Sequence, residues 1–174
     1  LFSYSQLVVA HNAWFDRNML EKYIRPRNIW ACSSNDVNWK ERGFSKSSLE
    51  LLSIWHGFYY EAHRAMNDVN ATIHLITHSH YDIKPVVEII ENAKKPHYNI
   101  VNKFSYNEEY VKLLRKRNRA YRFNRDNKAW SILLNDEKRL EEEKEWLADN
   151  IYSGIFNGSI KFIDLYDKYK RMDK

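Results

Sequence analysis

Four apolar residues in succession, Leu7 to Ala10 in "QLVVAHNAWFDRNML", read as a buried strand. Helical spacing follows, with Phe15, Met19, Leu20, Tyr23 and Ile24 on one face, Asn12 as the N-cap and Pro26 forbidding continuation. "NIWACS" (28–33) reads as a second short strand. Ser45 or Ser47 is placed to cap the next helix, with Glu50 completing a capping box after Ser47. Leu49, Leu52 and Trp55/His56 recur at helical spacing, and Gly57 is a good stop. A third helix over about 62–79 carries a stripe of Ala62, Met66, Val69, Ile73 and Ile76. Strand–helix–strand–helix–helix is an α/β pattern.

"IENAKKPHYN" (90–99) looks like a boundary. Beyond it "YNIVNKF" alternates like a strand, and "NEEYVKLLRKRN" has helical character. "AYRFNRDNKAWSILL" reads as a hairpin turning at Arg125-Asp126-Asn127. "DEKRLEEEKEWLADNIY" is a charged helix with Leu140, Glu143, Trp146/Leu147 and Ile151 facing inward, while "SIKFIDLYDKYK" fits strand or helix equally. We therefore expect two domains, 1–92 α/β and 97–174 small α+β.

At 174 residues and 44% hydrophobic composition, the chain can build such cores. No apolar run approaches the ~20 residues of a membrane span, so no membrane partner is expected. The lone Cys32 excludes an internal disulfide framework, suits a reducing cytoplasm, and reads as a small core residue. The net charge of +5 is concentrated in the second half. Lys112, Arg115, Lys116, Arg117, Arg119, Arg122, Arg125 and Lys128 are interleaved there with Tyr121, Phe123 and Trp130. Basic groups can follow phosphates and aromatics can stack on bases. Equally, the aromatics can face a core while the arginines stay solvated. Arg119, Arg122 and Tyr121 are the expected nucleic-acid contacts.

Two clusters bear chemistry: His11-Asn12-Ala13-Trp14-Phe15-Asp16 and His63-Arg64-Ala65-Met66-Asn67-Asp68. Asp16 and Asp68 fall in first turns of expected helices, where the dipole favours a carboxylate. Carboxylates from different elements can converge on a hard divalent cation. A histidine of ordinary pKa, ~6.5, can take a proton from a water. Each cluster alone is more often a cap or a surface histidine. His74, His78 and His80, spaced i, i+4, i+6, read as exposed helix histidines rather than a metal site.

"VVAHNAWFD" and "HRAMNDVNA" together resemble the second and third motifs of the DnaQ-like 3′–5′ exonucleases of DEDDh type, which have the ribonuclease H-like fold. The resemblance, closest to the DNA polymerase III epsilon type, covers about residues 5–80. More loosely, the tail is similar to a small C-terminal domain of some bacterial members. It implies Asp16 and Asp68 as metal-ligating carboxylates and His63 as general base. His11, Asn12, Phe15 and Arg64 would shape the substrate pocket. It further implies two Mg²⁺ or Mn²⁺ ions about 4 Å apart, DNA or RNA 3′ ends as substrate, and a polymerase as a partner.

The family's first motif, an Asp-x-Glu on the first of three hairpin-connected strands, does not precede Leu7. We therefore expect a fold lacking its first strands, supplied by a longer chain or by a partner polypeptide. The isolated chain is expected to be inactive or very weak. The competing expectation is a non-catalytic remnant that binds nucleic acid or contacts another subunit.

Overall fold

A computed structural model describes residues 4–25, 27–117 and 121–170. The chain forms two compact units: residues up to 94 together with those from 165 onward, and residues 95–164. Mixed α/β architecture is observed, with six helices and two sheets among the described residues.

In the first unit, strand β1 (Leu7–Ala10) leads through helix α1 (Ala13–Leu20) to strand β2 (Ile29–Cys32). The two strands pair in parallel, Leu7 opposite Ile29 and Ala10 opposite Cys32. Parallel pairing brings both strand ends, His11 and Ser33, to one edge of the sheet, where open α/β sheets bind ligands. Among the described residues β1 pairs only with β2, and all four of its residues are half-buried. Helices α2 (Leu49–Trp55), α3 (Ala65–Thr77) and α4 (Pro85–Ala93) follow. Leu52, Leu75, Ile89 and Ala93 close with Ala31, Val37 and Trp39 into one core.

Several expectations change here. Helix α1 stops at Leu20, and its buried face is Ala13 and Arg17, not the apolar stripe. Phe15 and Met19 are exposed. Helix α3 likewise buries Ala71 and Leu75, leaving Met66 69%, Val69 48% and Ile73 53% exposed. Leu20 and Ile76 pack against the cores, but most of each stripe is left uncovered among the described residues. The N-cap of α2 is Ser48 rather than Ser45 or Ser47, and its side chain makes no cap bond. Helix α4 was not expected, although Pro85 sits in its first turn, where the missing amide costs nothing. Pro26 lies outside the described residues.

Residues 165–170, expected with the second domain, pack on the first unit instead. The fully buried Arg17 explains why: its guanidinium donates to the carbonyls of Lys168 (2.6 Å) and Tyr166 (2.7 Å) and to Glu21 (2.8 Å). It also lies 5.6 Å from the centre of the Trp30 ring. Lys168 is fully buried too, and its ammonium donates to the Asn92 carbonyl at 2.7 Å. A cation there complements the last-turn carbonyls and the negative dipole end of α4. Asp36, buried beside it, accepts the Cys32 amide at 2.7 Å. Burial pushes the Asp36 carboxyl up, while the Cys32 amide and the Lys168 charge pull it down. Cys32 is a buried free thiol whose pKa is raised by burial.

The second unit holds a four-stranded antiparallel sheet whose strands lie side by side in the order 122–124, 129–134, 97–102 and 159–163. It consists of β3 (His97–Asn102), α5 (Glu108–Arg117), β4 (Arg122–Asn124), β5 (Ala129–Leu134), α6 (Glu137–Asn150) and β6 (Ser159–Ile163). Ile100, Leu114, Ile132, Leu140, Leu147 and Ile151 make its core. Asp136 caps α6 by accepting the Arg139 amide at 3.0 Å. Ser159–Ile163 resolves as a strand because it completes pairing along β3, Ile100 opposite Ile160.

Candidate functional site

The two motif clusters sit at comparable turns. His11 leaves the end of β1, and Asn12 adopts a left-handed backbone (φ 69°) before α1. His63, just before α3, is left-handed as well (φ 67°). Left-handed residues other than glycine are uncommon, and strain of this kind clusters at functional sites. Asn12 holds the N-cap position of α1, yet its side chain makes no cap bond.

His11 is committed at both ring nitrogens. Nε2 lies 2.8 Å from the Ser47 carbonyl and must carry the proton, so Nδ1 accepts from the Ser33 hydroxyl at 2.9 Å. It thereby ties the ends of both strands to the turn before α2. Burial lowers its pKa, against the Ser47 bond and the Asp68 charge, which raise it.

Asp16 and Asp68 each occupy the first turn of a helix, α1 and α3. Partial desolvation raises the Asp16 pKa, a hydrogen bond to its own backbone amide lowers it, and the like charge of Asp68 raises it further. The two carboxylates, 52 positions apart in sequence, therefore lie within electrostatic reach of each other. Asp68 accepts the His63 amide at 3.4 Å and bonds the Tyr60 hydroxyl. Burial and that carboxylate push the Tyr60 pKa up to about 12. Tyr60 was not foreseen, since nothing in "GFYYEAH" distinguishes it from its neighbours.

The His63 side chain is exposed. Arg64 is exposed as well and pairs with Glu61 at 3.4 Å on the surface. Phe15 and Trp14 stand half exposed beside Asp16. Thus the Asp68 charge is felt by Asp16, His11 and Tyr60, and the His63 backbone amide donates to Asp68. Among the described residues, no group of three His, Cys, Asp or Glu side chains is placed to hold a metal ion. Two carboxylates alone do not furnish the near-octahedral oxygen shells that two Mg²⁺ ions require.

The histidines of α3 and the segment after it gather elsewhere. His78 lies ring to ring with His56 (5.0 Å), His74 (5.2 Å) and His80 (6.2 Å). With Phe44, Trp55 and Tyr81, three of them (His56, His78 and His80) line a pocket of about 260 Å³. His56 spends both nitrogens on the Leu52 carbonyl and the Tyr81 hydroxyl.

In the second unit Tyr121 is buried, and its hydroxyl donates to Glu143 at 2.7 Å. Burial and that carboxylate raise its pKa. Its ring belongs to the core rather than to an open stacking face. Arg122 is exposed on β4, and Arg119 lies outside the described residues.

No protein-family model matches the chain, and neither does any curated protein or any solved structure. Among the described residues no helix is long and apolar enough to cross a membrane.

Proposed function

We propose that this chain is the back portion of a DnaQ-like 3′–5′ exonuclease of ribonuclease H-like fold, acting on DNA or RNA 3′ ends. The reading is carried by Asp16 and Asp68, which arise from the first turns of separate helices and sense each other's charge. In this reading they are the two carboxylates the chain contributes to Mg²⁺ or Mn²⁺. Such ions supply Lewis acidity and a more acidic bound water. His63, its imidazole exposed at a left-handed turn, takes the proton from the attacking water. Phe15 and Trp14 offer exposed ring faces to a terminal base beside Asp16.

The remaining ligands come from strands bearing an Asp-x-Glu, in a longer chain or a partner polypeptide. Among the described residues one edge of β1 has no partner and most of the apolar stripes of α1 and α3 are open, which gives such strands a place to bind. Until they do, activity is absent or very weak.

The test joins this chain to strands carrying Asp-x-Glu and follows Mn²⁺-dependent mononucleotide release as the stepwise shortening of a 5′-labelled oligonucleotide. Asp16→Ala and His63→Ala should each abolish release. Release that survives both unchanged defeats the assignment.

A further inference from the structure

The second unit carries a groove of about 620 Å³, remote in sequence from both motif clusters. Arg115 and Lys116 from the last turns of α5 line it, with Tyr121, Arg122 and Phe123 at edge strand β4 and Trp130 on β5. Phe123 and Trp130 are directly opposed across the β4–β5 pair. Their rings are 5.3 Å apart and inclined at 47°. Trp130 packs down against the core, whereas Phe123 remains 47% exposed. The Arg115 guanidinium lies over the Trp130 ring, 5.6 Å from its centre.

The charge is one-sided. From 115 to 128 the only acid in the sequence is Asp126, against seven lysines and arginines. Of these, Arg117 is spent on Glu143 at 3.1 Å. The dipole of α5 favours cations in its last turn. It does not account for the exposed Phe123 ring on the edge strand beside those cations. Cations beside an open ring face are what single-stranded nucleic acid requires. A duplex hides its base faces in its own stack and cannot use such a ring.

We propose that this groove binds single-stranded nucleic acid, with phosphates on Arg115, Lys116 and Arg122 and a base stacked on Phe123 beside Trp130. The site does not depend on the metal-binding reading of Asp16 and Asp68, and the experiment keeps the two apart. Fluorescence anisotropy of labelled dT12 and rU12 is measured with the full chain, in EDTA, at low salt. Binding of either sugar type supports the proposal.

Phe123→Ala should weaken binding on the order of tenfold, the loss of one stacked base. Phe123→Trp, which keeps a ring face, should retain it. A Lys116→Glu/Arg122→Glu double variant should weaken binding further. It should also flatten the slope of log affinity against log salt by about 1.4, since each single-strand phosphate contact contributes about 0.7. Both altered side chains are surface groups, and circular dichroism confirms that each variant folds.

Absence of binding by the parent chain, unchanged affinity in both Phe123→Ala and the Lys116→Glu/Arg122→Glu double variant, or equal affinity for a duplex of the same length would each overturn the proposal. Loss of binding in Asp16→Ala with the groove intact would also do so, because it would place the contact in the first unit.

Discussion

Replacing Arg17 by Met keeps most of the side-chain volume and removes every donor. Two backbone carbonyls, of Tyr166 and Lys168, then lose partners at 2.7 and 2.6 Å, and Glu21 loses its i,i+4 cation. Charge-assisted hydrogen bonds of this kind are each worth about 1.5–3 kcal/mol. The Glu21 pair is partly solvated and adds little. Relief from burying a guanidinium offsets some of the loss, which leaves a net destabilisation of roughly 3 kcal/mol. For a unit of about a hundred residues that lowers Tm by roughly 12–24 °C. The assay is calorimetry together with urea unfolding, on the parent, Arg17→Met, a truncation lacking residues 165–174, and the combination. Because the tail acts through Arg17, the combination should cost little more than the truncation alone. Additive losses, or an Arg17→Met variant within 1 kcal/mol of the parent, would refute the account.

Two further outcomes concern the candidate site. The Asp16 pKa is raised in the fold, so its ionisation opposes folding. Asp16→Asn should therefore be more stable than the parent at neutral pH, with a gain that vanishes below about pH 3.8, where the parent is protonated folded or unfolded. Urea midpoints across pH 3–7 read this, and equal midpoints at pH 7 would contradict it. The His11 and His56 pKa values are lowered, chiefly by burial, so the unfolded chain binds protons first as pH falls. Stability is fully present above about pH 6.5 and should decline below it until the folded pKa values are passed. Midpoints at pH 7.5, 6.5 and 5.5 test the sign, and His11→Gln should flatten the decline.

Local patterns in the sequence located what local physics decides. The apolar run 7–10, the α2 spacing ending at Gly57 and the turn between β4 and β5 all appear in the structure where the chain itself suggested. The stripe Met66-Val69-Ile73 was readable as a stripe, but periodicity cannot say whether a partner covers it, and here none among the described residues does. Nothing in the sequence marks Arg17 and Lys168 as buried, because a basic residue signals solvent unless its acceptors are known. Those acceptors lie 151 and 76 positions away in the chain. Tyr121 misled for a related reason: its arginine neighbours suggested a binding face, whereas Glu143 on α6 draws the hydroxyl inward. At the candidate site, residue types and spacing pointed to Asp16 and Asp68. The left-handed turns at Asn12 and His63, and the Tyr60 bond, needed coordinates.

The final turn of chain, through Arg17, completes a unit whose other residues were made first, while 95–164 intervene. At ordinary translation speeds of about 5–20 residues per second, those seventy residues delay completion by roughly 4–14 s. Throughout that interval the nascent N-terminal portion waits with Arg17 held by Glu21 alone, its two carbonyl acceptors not yet made. A premature stop codon between Lys94 and Leu165 would thus cripple the segment bearing Asp16 and Asp68, though it leaves both codons untouched.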